Sequence, residues 1–320
     1  MSETPYRLVD AGNERVLTVD GQEYRTCYSE RLIRMLIARK GPRRAALYFG
    51  FKKERGEHFL GPLFRYLETT TAAGLRVLEV GCSFGHNTEY LAERPAVAEI
   101  HAFDTDPDFV AMVDTKVDEM RLGKVREVKL LSNEESCRLP WANGAFDLVL
   151  VVGIVEHLSR RYRRVQVDEY YRVLAPGGHI AILDTPNRWF PYETHSIGLP
   201  LVQWMPAWLA YPYARTFRPG LAGVASYADF TAEGSGWQNA TLGDCLPSWG
   251  LRGLEDLTEK AGYGWRFFRD TTRSQSPRRR LLPAFTLAVG VLEKLGRPPS
   301  LCLPYFNLLF RRSSAATPGV

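Results

Sequence analysis

Leu75–Asn87 reads LRVLEVGCSFGHN: a short apolar run that stops at a glycine, then a small polar turn with a second glycine four residues on. An apolar run of this length, bounded by glycine, suits a strand buried on both faces. Gly81 and Gly85 can take positive φ and let the backbone approach a ligand closely. The spacing is G-x-S-x-G, which differs from the G-x-G-x-x-G of a dinucleotide-binding turn. Glu79, two residues before Gly81, suits a cationic ligand group better than a pyrophosphate; the alternative is that it holds the turn through hydrogen bonds.

Outward from this turn, strand-like and helix-like stretches alternate. Residues 87–93 are helix-compatible, with Asn87 or Thr88 as cap. Ala98–Phe103 is apolar and closed by Asp104, Lys124–Leu131 alternates, and Ala145–Val152 (AFDLVLVV) is almost continuously hydrophobic. Helical spacing runs from Arg161 to Leu174, and His179–Asp184 (HIAILD) follows a PGG turn. The pattern predicts an α/β fold whose parallel sheet is covered on both faces, with ligands bound beyond the carboxyl ends of the strands. Asp104 ends the second such strand, 25 residues after Glu79, where an acid can accept ribose hydroxyls. Asp106 and Asp108, around Pro107, read as helix-start residues.

Composition excludes some classes. The 320 residues are 45% hydrophobic, enough for a sizeable core and against a disordered chain. The formal charge is +5, but eight basic residues and one acid lie between Arg273 and Arg312, so the remainder is slightly acidic and the basicity is local. The five cysteines show no metal-type or disulfide-framework spacing, which predicts reduced thiols. With no apolar leader at residues 1–16 and no spanning run, the expected location is cytoplasmic.

Four ordered motifs carry a family resemblance: VLEVGCSFG, IHAFDTD, ESCRLPWANGAFDLVLVVGIVEHL and EYYRVLAPGGHIAILDTPN. Together they resemble class I S-adenosylmethionine (SAM)-dependent methyltransferases, in particular the small-molecule group with an LP[FW]…FDxV…EH[LV]…PGG run. The resemblance covers about residues 77–187 strongly and implies a Rossmann-like seven-stranded sheet, six strands parallel and one antiparallel. It also implies SAM as cofactor. Glu79, Gly81, Cys82, Ser83 and Gly85 would line its methionine end, Asp104 and Thr105 its ribose, Glu135 and Ser136 its adenine, with Val152 and Gly153 bordering it. The family often has glycine where Ser83 stands and aspartate where Glu135 stands.

A hydroxyl acceptor needs a base, so histidines beside strand ends are the catalytic candidates. His157 follows Glu156 after the fourth strand. After the fifth comes a TPNR…PxExH stretch that resembles a subgroup of bacterial methyltransferases associated with surface sugars, lipids and quinone-like acceptors. In it Glu193 and His195 alternate, so in an extended segment they would share one side, the carboxylate orienting the imidazole. The alternative is a surface loop whose polar residues cap one another. Some quinone-pathway O-methyltransferases bind a metal through Glu-x-x-Glu-His; Gly153 stands at the first of those positions, so no metal is expected. His58, His101 and His179 read as structural. Asp184-Thr185-Pro186-Asn187 departs from the [DN]-P-P-[YF] of base methyltransferases in order and position, so no nucleic-acid partner is expected.

The flanks complete the expected organisation: residues 1–70 a helical cap (with a helix over Ser29–Arg39) roofing the cofactor cleft, 71–187 the core, 188–250 a Trp-, Tyr- and Pro-rich lid for the acceptor, and 251–312 the rest of the core, before a flexible tail at 313–320. Leu254–Ala261 reads as the last helix, Trp265–Arg269 as the sixth strand and Tyr305–Arg311 as the antiparallel seventh. The insertion 270–304 carries Arg278-Arg279-Arg280 before a short apolar segment, and 278–296 suits an anionic membrane surface at the inner face of the membrane. A buried helix and a dimer contact are the rival readings of that segment. The functional expectation is O-methylation of a hydroxyl on a sugar, glycolipid or other secondary-metabolite acceptor. A non-catalytic SAM-binding scaffold and an NAD-dependent oxidoreductase are the alternatives.

Overall fold

The computed structural model describes residues 5–71, 73–275 and 280–314. The chain divides into two compact units, Met1–Ser132 and Asn133–Val320.

The first unit opens with an element the sequence reading missed. β1 (Tyr6–Asp10), β2 (Arg15–Val19) and β3 (Gln22–Thr26) form an antiparallel meander. Asp20 and Gly21, both at positive φ, make the two-residue turn between β2 and β3, and an Asp-Gly pair is the strongest short-range hairpin signal. The cap over residues 1–70 is therefore part sheet, part helix. α1 (Glu30–Lys40) starts at Ser29, whose hydroxyl accepts from the Leu32 amide, and buries Leu32, Ile33, Leu36 and Ile37. α2 (Pro42–Arg55) and α3 (Gly61–Thr70) follow, joined by one wide turn of π-helix. The meander and α1 close a core that includes Leu17, Tyr28, Phe84 and Met112.

The Rossmann-like half of this unit runs β4 (Leu75–Val80), α4 (His86–Ala92), β5 (Val97–Asp104), α5 (Pro107–Met120) and β6 (Val125–Leu130). β4 pairs parallel with β5, and β5 with β6. The cap of α4 is Gly85, rather than Asn87 or Thr88.

In the second unit β7 (Phe146–Val152) leads to α6 (Arg163–Arg172) and to β8 (Leu174–Pro186), which pairs parallel with β7. Residues 188–250 hold α7 (Ala207–Phe217) and α8 (Tyr227–Thr231) around a small core of their own, with Val202, Ala210, Phe230 and Trp237 at its centre. Beyond it the expected order is inverted. Leu254–Asp256 is the strand (β9), whereas Trp265–Gln275 is a helix (α9) that buries Phe268 and Thr272 at i,i+4 spacing. α10 (Leu282–Lys294) and β10 (Tyr305–Arg312) complete the chain's regular structure. β10 runs antiparallel to both β8 and β9.

The sheet thus has seven strands in the order β6-β5-β4-β7-β8-β10-β9, with β10 the antiparallel member. Six parallel strands and one antiparallel strand agree with the expected fold, although the sixth strand lies nine residues upstream of its expected segment. Arg278, Arg279 and the tail from 315 lie outside the described residues. No helix among the described residues is long and apolar enough to cross a membrane.

Candidate functional site

In the first unit, the turn between β4 and α4 is shaped by three left-handed residues: Gly81 (φ 68°), Ser83 (φ 49°) and Gly85 (φ 75°). Serine at a left-handed position accounts for the glycine that the resembling family often places there. A Cβ on Gly85 would come within 3.0 Å of the Val113 side chain, so this position also needs a close helix approach. Cys82 packs its side chain inward against Ala102 and Val113, leaving only its backbone for a ligand.

Asp104, at the end of β5, fastens the turn. Its carboxylate accepts from the Ser83 amide at 2.8 Å and from the Asp106 amide at 3.0 Å. The Thr105 amide also favours its charge, and of about four lone-pair sites at least one remains to receive a hydroxyl. Thr105 beside it is exposed.

Glu79 is buried, and one of its oxygens accepts from the Thr88 hydroxyl at 2.6 Å. The Asn87 side chain also favours the charged carboxylate, while Oε1 makes no hydrogen bond of good geometry among the described residues. Burial pushes the carboxyl up to about 8, against the Thr88 hydrogen bond that favours its charge. A buried acid with one open oxygen beside a turn of small residues fits the ammonium end of an amino-acid-like ligand. Beneath the turn lies a pair that sequence reading missed: Lys116 of α5 is fully buried against Glu89, with its ammonium 3.6 Å from the Phe84 ring centre. The signal was available, because Phe109, Met112, Val113 and Lys116 share the inward stripe of α5.

In the second unit, Val152 and Gly153 end β7, and the chain then enters a 3-10 turn at Val155–His157. The Arg163 guanidinium donates to the carbonyls of Glu156 (3.2 Å) and Leu158 (3.1 Å), which fixes that turn. Glu135 and Ser136 lie in a separate 3-10 turn, Glu135 exposed and Ser136 buried.

The fold brings His157 and His195 together, 38 residues apart in sequence, with Nε2 to Nε2 at 3.0 Å. Glu156 Oε1 lies 4.0 Å from the first and 3.8 Å from the second. His157 Nδ1 meets the Gly234 carbonyl at 2.7 Å. A carbonyl only accepts, so this nitrogen carries the proton, and Nε2 of a neutral ring holds a lone pair. Gly236 sits against both rings: a Cβ there would come within 2.9 Å of His157 and 3.5 Å of His195. Neither Gly234 nor Gly236 carried a sequence signal. Beside the turn opens a cleft of about 310 Å³, lined by Arg160, Arg161, Arg163, Gly234, Gly236 and Trp237 among others.

Glu193 has a different job from the one expected of it. Its carboxylate accepts from the successive amides of His195, Ser196, Ile197 and Gly198, at 2.6–3.2 Å. It fixes the backbone that carries His195, and the acid that lies by the two rings is Glu156. His101 pairs with Glu127 and His179 is buried in β8, in keeping with structural roles.

Residues 78–182 match a family model described as a methyltransferase domain. Residues 78–182 thus carry a methyltransferase domain, whose cofactor is SAM. Over 111 residues the chain is 32% identical to a demethylmenaquinone methyltransferase of Thermus thermophilus, a match covering 35% of this chain and 47% of the relative. It is 27% identical over 131 residues to methyltransferase GfsG of Streptomyces halstedii, covering 41% and 44%. The chain therefore spans about half the length of these curated relatives. Among solved structures, a SAM-dependent methyltransferase from Aquifex aeolicus is similar at 22% identity and TM-score 0.36, over 51% of this chain and 83% of that one. YcgJ of Bacillus subtilis is similar at 15% and 0.41, over 79% and 98%. The methyltransferase domain ends before His195, so half of the imidazole pair lies outside the matched residues.

Proposed function

We propose that this chain is a SAM-dependent O-methyltransferase acting on a hydroxyl of a sugar, glycolipid or other secondary-metabolite acceptor. The observation that carries this reading is the His157–His195 pair beside Glu156, just beyond the carboxyl end of β7. That is where sheets of this kind bind their ligands.

SAM, when bound, supplies a methyl group on a sulfonium; an oxygen nucleophile attacks the methyl carbon in line, and the carbon–sulfur pair leaves with sulfur as a neutral thioether. Glu79 would receive the ammonium, Asp104 the ribose hydroxyls, and the backbone of Gly81, Cys82, Ser83 and Gly85 would lie along the amino-acid portion. Thr105 would border the ribose, Glu135 and Ser136 the adenine, and Val152 and Gly153 the edge of the site. His157 Nε2 offers the lone pair that takes the acceptor proton as the oxygen–carbon bond forms. Glu156 stabilises the resulting imidazolium, and Glu193 holds His195 in place through the main chain.

The acceptor class rests on the surface of residues 188–230. Trp189, Trp204, Trp208, Phe217 and Tyr227 are exposed there, Trp208 by 70%, and aromatic faces suit sugar rings and apolar tails. α10 adds Leu287, Val291 and Leu295 on one exposed stripe after exposed Arg280, the pattern of a helix that lies on an anionic membrane surface.

The test is calorimetric titration with SAM together with S-adenosylhomocysteine release across sugar, glycolipid and phenolic acceptors. Turnover with hydroxyl acceptors supports the reading. SAM binding without turnover on any of them would instead leave a non-catalytic scaffold. Co-sedimentation with anionic but not neutral liposomes, lost in Leu287→Glu, tests the surface contact separately.

A further inference from the structure

The same three side chains have the geometry of a metal site. We propose that Glu156 Oε1, His157 Nε2 and His195 Nε2 bind a divalent cation of the zinc class, with coordination positions left open for an acceptor oxygen. The sequence gives no reason to expect this, because Gly153 stands where a fuller acidic cluster would have glutamate. The deficit is made up from another strand: the three donor atoms converge only because the loop after β8 returns His195 to the turn after β7.

The separations of 3.0, 3.8 and 4.0 Å decide the matter. A point equidistant from the three atoms lies about 2.1 Å from each, within the usual range for zinc–imidazole and zinc–carboxylate bonds. The donor chemistry agrees. The Gly234 carbonyl holds the proton of His157 on Nδ1, which turns the Nε2 lone pair toward the other two atoms. An imidazole tautomer fixed by a backbone carbonyl is the usual outer support of a metal ligand. If His195 carried its proton on Nε2, one N–H···N bond would explain the 3.0 Å contact. It would not involve the Glu156 oxygen, which lies 3.8–4.0 Å from both rings. A cation accounts for all three distances at once.

The surroundings are built to hold this arrangement. Gly236 presses on both rings, the four amides on Glu193 fix the backbone at His195, and Arg163 fixes the carbonyls of the turn that carries Glu156 and His157. Three protein ligands close to one plane with the cation leave both faces free, which is the pattern of a catalytic rather than a structural site. A hydroxyl entering as a further ligand would lose its proton to solvent water more readily than when free, a route that stands in place of proton removal by His157, whose Nε2 lone pair the cation then holds. That last step rests on the hydroxyl-methyltransferase reading; cation binding does not.

The experiment uses the full chain, stripped with chelator, dialysed and titrated with Co2+. The expected result is a visible d–d absorption that saturates at one equivalent and is displaced by Zn2+. His157→Ala, His195→Ala and Glu156→Gln should each weaken Co2+ binding by at least about tenfold, and His58→Ala should leave it unchanged. Thermal melts confirm that each variant is folded, and His195→Asn serves if the alanine variant is not. Absence of a saturable band, or a band that survives in the His157→Ala/His195→Ala double variant, overturns the site. Saturable binding with no S-adenosylhomocysteine formed on any acceptor upholds the site and removes the methyltransferase reading. Product formation by protein that binds no Co2+ does the reverse.

Discussion

The turn after β4 and the loop after β8 each bury a glutamate, and the two carboxylates meet opposite fates. Glu193 is surrounded by four backbone amides and is fully occupied in holding its own loop. Glu79 is as deeply buried, yet one oxygen makes no hydrogen bond of good geometry among the described residues and its proton is held up to about 8. A buried charge costs several kcal/mol unless it is matched. The matched acid is therefore architecture, and the unmatched one marks a place prepared for something else. The same contrast separates affinity from turnover: the β4 turn should govern cofactor binding, and the loop after β8 should govern what happens to the acceptor.

That division can be tested. His195→Ala and His157→Ala should each lower turnover by about 10²–10³-fold, with SAM affinity by calorimetry within twofold of wild type. A matching loss of SAM affinity would show that the two regions do not divide the work. Glu193→Ala leaves four amides without an acceptor and should cost about 3 kcal/mol of stability, read as a shift in urea midpoint, while Glu193→Gln should lose less. Asp104→Ala should weaken SAM binding more than tenfold because it removes a ribose acceptor and also releases the Ser83 amide; unchanged affinity would refute that role.

The smallest effect concerns pH. Unfolded, a glutamate titrates near 4.5, whereas folded Glu79 holds its proton to about 8. Over that window the folded state binds more protons than the unfolded one, so this group's contribution to stability falls as pH rises. Glu79→Gln removes the dependence. Its melting temperature without ligand should match wild type near pH 5 and exceed it by a few degrees near pH 8. Melting curves that run parallel across this range would show that Glu79 is not the group responsible.

What the sequence disclosed follows the same line. Strands β4, β5, β7 and β8 were legible because strands buried on both faces are written as unbroken apolar runs, and the Gly81–Gly85 turn because its conformation requires particular residues. Asp104 and Glu79 were legible because they sit at fixed offsets from those runs. The meander was missed although Asp20-Gly21 announced it. β9 and α9 were exchanged because Trp265, Phe267 and Phe268 resemble a strand by composition, while their burial at i,i+4 spacing is helical. The contact of His157 with His195, and the seat of Gly236 against both, have no local signature. They exist only once two strands are paired and the chain between them has turned back.

The way the loop after β8 is suspended bears on protein synthesis. Asn187 donates to the carbonyls of Leu301 and Leu303, and the Tyr305 hydroxyl to that of Thr194. The segment holding His195 thus hangs from residues translated more than a hundred codons later. The β4 turn, by contrast, draws on residues of its own compact unit: Asp104 accepts from the Ser83 amide, and Val113 packs against Gly85. At roughly 5–20 residues per second, the interval from there to the end of β10 is about 10–40 s. In a nascent chain the Gly81–Gly85 turn and Asp104 would emerge first, and the two imidazoles would come to rest against each other only after β10 has been made.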